Sequence, residues 1–456
     1  MLEGFPDRLA ADAVTSVDQL GEVGRRLAAA DRAVVIAGSS ISGLVLAARL
    51  GRAAASGTGG RLAVVLVTGS PPVPKRLVAG CSLRWSTVRR MARALGVTDA
   101  DLVERMGGHG ACFGRLAVAR AEPGSDPPRL VQRKTDAPAK PFVGLSTRHG
   151  HILSALRASL DPSLDVVVVA GDVNRQQPLS ANALPLLIDG EEAILPLPAG
   201  RSVVLNATSR ADLLRLAGRL PEPERFVVAV QVPLVTTTDP PWCGDDVGLA
   251  PMTFGPPAPH LAFFTPFRDP DTPQATWYGI NTMSLSARRL ENAGAPAVTK
   301  AVWDRLVELE EAMGLAEVDP AETRAEAVVP VVRDRGTVTE RLLHNDTPVV
   351  DVHRSFTSGA PAINVDGMLA ATVGGDAFAT AFLASAEPAP AAARAALVAA
   401  DKALQPVRWR NWATEWSFFR GPEAARAANA RMPGPLWRAF VLDWNHLRSR
   451  GGLPTG

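Results

Sequence analysis

The stretch AVVIAGSSISGLVLAARLGRAAASGTGGRLAVVLVTG, residues 33–69, decides the fold of this chain. Its first part, Ala33–Ala37, is a short apolar run that predicts a strand buried on both faces. A turn of small residues follows, and an apolar helix is predicted from Ile41 to about Ala55. A second apolar strand is predicted over Leu62–Val67. The succession of strand, turn, helix and strand predicts the opening unit of a dinucleotide-binding fold.

The turn between strand and helix has the chemistry of a phosphate-binding loop. Gly38 permits a sharp reversal because it has no Cβ, and the following helix directs free N–H groups and its positive dipole end at the turn. A pyrophosphate fits such a site. Ser40 replaces the middle glycine of the G-x-G-x-x-G pattern, so its hydroxyl either bonds a phosphate or obstructs one. The alternative is a small-residue turn that holds no nucleotide. The candidate binding residues are Gly38, Ser39, Ser40, Ile41, Ser42 and Gly43.

Residues 32–98 contain no acidic side chain. The usual fingerprint has an Asp or Glu at the end of the second strand, where it binds a ribose, but here that strand ends Val67-Thr68-Gly69. The same interval is rich in basic residues, which suits an anionic ligand. Four of them are better interpreted as solvated helix-face residues: Arg49, Arg52, Arg89 and Arg93.

The composition is that of an ordinary globular protein, with 46% hydrophobic and 21% charged residues. A chain of 456 residues can form two or more lobes, and a net charge of +2 argues against a nucleic-acid-binding surface. We see neither a run of about 20 apolar residues nor a signal-peptide pattern. The three scattered cysteines, Cys81, Cys112 and Cys243, indicate reduced thiols and predict a cytoplasmic protein.

Five segments are predicted along the chain. Residues 1–32 are a helical preface, and residues 33–224 form the first part of the dinucleotide-binding domain, with an insertion at about 107–144. Residues 225–345 form a lobe of mainly antiparallel strands. Residues 346–404 return to the first domain, and residues 405–456 are a Trp-rich helical C-terminus whose regularly spaced tryptophans indicate packing.

The return segment contains a second candidate site. Met368–Val373 is predicted as a buried strand that ends at Gly374-Gly375-Asp376, with a helix beginning at Ala377. Asp376 is then either the N-cap of that helix, contributing about 1 kcal/mol, or a ligand contact. We expect it to fold back beside the ligand of the first turn.

No metal site is predicted. His149 and His151 lack the i, i+4 spacing of a helical metal site and are expected to be a partly exposed pair. A second group, close in sequence, indicates a loop: His344, Asp346, Asp351 and His353.

The order of the elements resembles FAD-dependent oxidoreductases of the para-hydroxybenzoate-hydroxylase type, the class A flavoprotein monooxygenases, over nearly the whole chain. Four passages carry the resemblance: the turn Gly38–Gly43, the basic segment Lys75-Arg76 with its helix, the helix after Ser146-Thr147-Arg148, and the segment Val373–Ala377. The resemblance implies an α/β fold: a Rossmann-like FAD-binding domain, an inserted antiparallel-sheet substrate lobe and a helical C-terminus.

The resemblance also implies roles for single residues. Arg76 would reach the FAD pyrophosphate, and Arg148 would lie near the cofactor ribose. Asp376, flanked by Gly375 and Ala377, would bond the ribityl chain of the flavin. The sequence departs from the family where a proline and paired glycines normally cradle the isoalloxazine, because Phe378–Phe382 stands there instead.

The activity that the resemblance implies is a monooxygenase reaction, in which an apolar or aromatic small molecule is oxidised through a reduced-flavin/O₂ intermediate. No catalytic side chain is predicted, because the flavin supplies the redox step. Electrons would come from transiently bound NAD(P)H or from a partner reductase. The alternatives are a flavin-dependent reductase or dehydrogenase of the same fold, and a cofactor-free fold that serves as a cyclase-like or binding scaffold.

Overall fold

The computed structural model describes the greater part of the chain. The described residues are 13–57, 60–69, 80–106, 110–113, 115–121, 130–133, 144–161, 163–174, 176–177, 182–208, 225–237, 247–253, 260–269, 272–331, 349–357 and 367–419.

A five-stranded parallel sheet forms the centre of the first domain. Its order is β19-β12-β1-β2-β8. The strands are β1 (Arg32–Ala37), β2 (Leu62–Thr68), β8 (Val166–Ala170), β12 (Ser202–Asn206) and β19 (Val349–Asp351). The predicted pair β1 and β2 is confirmed, with Val34 opposite Val64 and Ala37 opposite Val67. Both strands are buried over their full length, as the unbroken apolar runs predict.

Other elements cover both faces of this sheet. Successive side chains of a strand point to opposite faces, so alternate residues of β1 contact different elements. Val34 and Ile36 face helix α2 (Ile41–Ser56). On the other side, Ala33 and Val35 pack against helix α1 (Val17–Ala29). A small antiparallel sheet also lies on this second side, formed by β9 (Asp172–Val173), β10 (Ala183–Ile188) and β11 (Glu191–Pro196).

The prediction of a strand over 368–373 is wrong. These residues belong to helix α10 (Gly367–Ala384), which packs against α2. The glycine pair that suggests a turn lies in the middle of this helix, where it permits close contact with neighbours. A Cβ on Gly374 would overlap the Phe356 ring, and one on Gly375 would lie 3.1 Å from Val45 Cγ1.

The strand that returns to the parallel sheet is instead β19, which pairs with β12 and contains only three residues. It lies in the stretch that the sequence indicated as a loop. Helix α9 (Val352–Thr357) follows it directly.

The second lobe is a mainly antiparallel sheet, as predicted, in the order β17-β13-β16-β15-β14-β5-β6, with β18 also paired to β13. Its strands are β5 (Arg115–Ala121), β6 (Leu130–Arg133), β13 (Arg225–Thr236), β14 (Val247–Thr253), β15 (His260–Pro266), β16 (Trp277–Ser286), β17 (Leu315–Glu317) and β18 (Ala325–Val331). β5 and β6, from the stretch predicted as an insertion, extend this sheet, and β5 pairs in parallel with β14.

One face of the lobe is covered by helix α7 (Ala295–Ala312), whose Val302 and Leu306 pack against Val230 and Val232 of β13. A third sheet consists of β3 (Gly80–Arg84), β7 (Gly144–Arg148) and β4 (Ala111–Phe113), in that order, and contacts both the lobe and the first domain. Its contact with the lobe includes a buried hydrogen bond of 2.8 Å between the hydroxyls of Ser146 and Thr265.

The remaining elements complete the chain. They are α3 (Trp85–Leu95), α4 (Asp99–Glu104), α5 (His149–Ala158), α6 (Ala287–Ala293), α8 (Pro320–Thr323) and α11 (Ala389–Phe419). Within the described residues, α10 alone has the length and apolar composition of a membrane-crossing helix. Half of that helix is buried, and its Phe378 and Phe382 are fully covered in the core of the first domain.

Candidate functional site

The carboxyl ends of β1, β12 and β19 meet at one edge of the parallel sheet. In the register of the strands, Ala37 lies beside Asn206, and Asn206 lies beside Asp351. In open α/β sheets, ligands bind outside the carboxyl ends of the strands, at a point where strand order reverses. β1 has β2 on one side and β12 on the other, so this sheet has such a crevice next to Gly38.

The turn that leaves β1 depends on two glycines. Gly38 has a φ of 106°, a conformation that side chains other than glycine rarely adopt. Its N–H donates to Val67 O at 2.8 Å, and a Cβ there would approach Thr208 N at 2.8 Å. A Cβ on Gly43 would overlap Gly38 O and lie 2.9 Å from Ala207 Cβ. Helix α2 therefore begins close against β1 and the residues after β12.

Ser40 is the N-cap of α2. Its hydroxyl accepts a hydrogen bond of 3.5 Å from Gly43 N–H, and its carbonyl accepts the first helical bond, from Leu44 N–H. This capping hydrogen bond is long, so the Ser40 hydroxyl satisfies the Gly43 N–H only weakly. The N–H groups of Ile41 and Ser42 remain outside the helical hydrogen-bond ladder, so the turn keeps two donors for an anion beside the serine.

Two buried polar side chains lie at the same edge, and sequence reasoning missed both as site residues. Asp351 and Asn206 are each 0% exposed. Asn206 Oδ1 accepts from Thr208 N–H and Oγ1, whereas Asn206 Nδ2 has no partner among the described residues. Ser42 Oγ, on the first turn of α2, is likewise buried without a partner there. Buried donors usually find an acceptor, so this edge has capacity for a further polar ligand.

Asp376 is positioned differently from the prediction. It lies inside α10, and its carboxylate forms an ion pair of 2.9 Å with Arg49 Nε on α2. Arg49 is eight residues beyond the start of α2, or about 12 Å along the helix axis. The neighbouring Gly375 does reach the first turn of α2, where its Cβ position is 3.6 Å from Ser42 O. The helix thus comes to the site while the Asp376 carboxylate holds two helices together.

The Arg148 side chain is also engaged by other residues of the protein. Its guanidinium forms an ion pair with Asp269, which is 2% exposed, and donates a 2.9 Å hydrogen bond to Thr272 Oγ1. His151 lies nearby, with Nε2 4.0 Å from Asp269 Oδ1. Contrary to the expectation of a partly exposed pair, His151 is only 5% exposed. These contacts join the start of α5 to the loop after β15.

Several arginines of the interval 32–98 stabilise helix ends. Arg32 donates to the carbonyls of Phe382 and Ser385 at the end of α10, and Arg52 donates to Leu95 O at the end of α3. Cations are favourable at helix C-termini. Arg49, through its ion pair with Asp376, and Arg52, through its bond to Leu95 O, join neighbouring helices. This corrects their interpretation as solvated side chains. Arg76, His344 and Asp346 lie outside the described residues.

The lobe presents its second face toward the third sheet, to which Thr265 is hydrogen-bonded. Tyr278, Phe263 and Thr265 alternate with the residues that face α7 and are each at most 2% exposed. Tyr278 packs on Phe267, with ring centroids 4.8 Å apart, and its hydroxyl donates to Gln231 Oε1 at 3.3 Å. The aromatic rings and polar groups of this face are buried, and they are side-chain types that also line small-molecule pockets.

Comparison with known proteins identifies the architecture. No family model and no curated protein matches the sequence. The flavin-dependent brominase Bmp2 matches in structure with a TM-score of 0.61 at 13% identity, over 91% of this chain and 94% of that chain. HpxO of Klebsiella pneumoniae, solved with FAD and uric acid, has a TM-score of 0.58 at 13% identity, over 93% and 98%. FqzB has a TM-score of 0.57 at 13% identity, over 93% and 95%.

Proposed function

We infer a function from the shared fold, because the flavin-dependent brominase Bmp2 and HpxO, which was solved with FAD, have the same architecture, as predicted. We propose that this chain binds FAD and is an oxidoreductase, a monooxygenase that oxidises an apolar or aromatic small molecule. The observation that carries the proposal is the convergence of the α2 turn with Asn206 and Asp351 at the carboxyl edge of the parallel sheet. Fold likeness alone would not assign a function.

The residues at this edge fit a flavin dinucleotide. The backbone of Gly38–Gly43 and the start of α2 would hold the pyrophosphate. Asp351, at the end of β19, is placed to accept hydrogen bonds from hydroxyl groups of the ribityl chain, the role that the family resemblance assigned to Asp376. Asn206 Nδ2, a buried donor without a partner among the described residues, is available to a phosphate or hydroxyl oxygen.

Bound FAD would supply the electron transfer and the reaction with O₂. The protein would hold the substrate in position and exclude water from the reacting groups. The lobe face with Phe263 and Tyr278 would hold an apolar or aromatic substrate, and its buried surroundings would exclude water. The electron donor would be NAD(P)H or a partner reductase, and we propose a cytoplasmic location from the reduced cysteines Cys81 and Cys112.

A cofactor-free scaffold is the second candidate, favoured by one observation. The Ser40 hydroxyl is directed at Gly43 N–H and so uses a donor that a phosphate would otherwise take. A reductase or dehydrogenase reaction of the same fold differs from the proposal only in not requiring O₂. Turnover under anaerobic conditions separates it from a monooxygenase.

The test compares two aspartates. We expect the purified protein, reconstituted with FAD, to show a flavin spectrum, and the Asp351→Asn variant to bind FAD at least tenfold more weakly, because a hydrogen bond to a charged acceptor is lost. Asp376→Asn is the matched control, since it makes the same change in a half-exposed ion pair and should leave FAD affinity unchanged. Circular dichroism of each variant checks that it is folded.

Two results would contradict the proposal. Failure of the wild-type protein to take up FAD would favour the scaffold function. A loss of FAD affinity in Asp376→Asn but not in Asp351→Asn would return the ribityl contact to α10.

A further inference from the structure

The end of β2 lacks the acidic residue that commonly holds an adenosine ribose, and this position is filled here by Thr68 and Gly69. Thr68 is 3% exposed. Its carbonyl accepts a 3.0 Å hydrogen bond from Gly171 N–H, so the corner between β8 and β9 is attached to the end of β2.

The residue after Gly171 places a carboxylate at that corner. A Cβ built on Gly69 would overlap Asp172 Oδ1, and it would lie 3.1 Å from Asp172 Oδ2. The carboxylate therefore lies directly over Gly69, in space that any larger residue would occupy. Asp172 is exposed, and among the described residues its carboxylate has neither a hydrogen bond nor an ion pair. It is thus available to a ligand that approaches the end of β2.

The carboxylate is also within reach of a nucleotide on the α2 turn. Gly38 is bonded to β2 through Val67 O, and Asp172 follows the strand on the other side of β2. Neighbouring strands are about 4.8 Å apart, so Asp172 is about two strand spacings from the turn. Its side chain leans back over Gly69, toward that turn. The lean brings the carboxylate over the end of β2, between β8 and the turn, where the ribose of a nucleotide held at the turn would lie.

We propose that Asp172 accepts the hydroxyl hydrogen bonds of the adenosine ribose, in place of the acid that β2 lacks. The inference rests on the proposed binding of FAD at the α2 turn. It assigns the adenosine half of the cofactor to the end of β2, beside the corner between β8 and β9. It also explains why Gly69 has no side chain.

The experiment measures affinity for two flavins that differ in one half. Apoprotein is titrated with FAD and with FMN, which lacks the adenosine, and binding is followed by flavin fluorescence. Asp172→Asn should weaken FAD binding about tenfold or more, the usual effect of losing a charged acceptor, and should leave FMN binding unchanged. Asp189→Asn is the matched control: it makes the same substitution at a hairpin turn, where asparagine tolerates the φ of 50°.

A second variant tests the geometry. Gly69→Ala should weaken FAD binding in the wild-type background by displacing the carboxylate, and it should add little to Asp172→Asn. Unchanged FAD affinity in Asp172→Asn would overturn the assignment and leave FAD binding intact. Equal losses for FAD and FMN would also overturn it, because they would show that Asp172 only shapes the corner. A wild-type protein that binds neither flavin would overturn the proposed function, and this inference with it.

Discussion

Among the ion pairs of the described residues, breaking the Arg148–Asp269 pair should be one of the most destabilising single changes. The two side chains are 13% and 1% exposed, so removal of either one leaves a buried charge without its partner. Such a loss costs about 3–5 kcal/mol. We therefore expect Arg148→Met and Asp269→Asn each to lower the free energy of unfolding by about that amount.

The double variant measures the interaction between Arg148 and Asp269 separately from the effect of each substitution alone. Because Arg148→Met with Asp269→Asn leaves neither charge buried, it should cost clearly less than the sum of the two single changes, with a coupling of about 1–3 kcal/mol. Lys300→Met is the control, since the Lys300–Asp304 pair has 76% and 56% exposed side chains and should contribute less than about 1 kcal/mol.

The assay is urea unfolding followed by tryptophan fluorescence, with the slope of the transition compared among variants. Reduced midpoints at an unchanged slope are the expected result. Single variants that cost under about 1 kcal/mol, or a double variant whose cost equals the sum, would refute the argument that the two charges stabilise each other in the interior.

Three further predictions follow from the geometry. Gly43→Ala should destabilise the fold by about 1–3 kcal/mol, because its methyl group would overlap Gly38 O; an unchanged thermal midpoint would contradict this. Ser40→Gly should increase FAD affinity, because it removes the hydroxyl that uses the Gly43 N–H donor, and loss of this N-cap should lower stability by only a few tenths of a kcal/mol. A titration that shows equal or weaker FAD binding would contradict the idea that the Ser40 hydroxyl obstructs a phosphate. Burial and then Glu317 raise the pKa of Glu310 to about 8 from its ordinary 4.5, so the folded state retains a proton that the unfolded state releases. Stability should consequently fall between about pH 4.5 and 8, and Glu310→Gln should flatten that part of the profile in urea titrations.

Strong local patterns predicted most of the framework. The apolar runs of β1 and β2 and the glycine turn after β1 are continuous signals, and the structure confirms them. The return strand β19 was missed because three residues carry too little pattern to separate a strand from a loop. The segment at 368–376 was misassigned because a glycine pair inside a packed helix has the same local sequence as a turn.

The site residues were harder to predict because strand order and register place them. Asp351 comes beside Asn206 only through the pairing of β12 with β19, which are separated in sequence by most of the second lobe. Asp172 comes over Gly69 only because β8 pairs with β2. Hydrophobic periodicity specifies which face of a strand is buried, but it does not specify which strands are neighbours.

The charge asymmetry of residues 32–98 has a structural explanation in these pairings. An interval without acids must obtain acceptors for its arginines from elsewhere in the chain, and the structure supplies them from later segments: the Asp376 carboxylate for Arg49, and the carbonyls at the end of α10 for Arg32. Asp172 and Asp351 come to the same sheet edge from still other segments. If both hold hydroxyl groups of one dinucleotide, cofactor binding joins three distant parts of the chain. FAD should then raise the thermal midpoint of the wild-type protein more than that of Asp172→Asn, because weaker binding gives less stabilisation at the same FAD concentration.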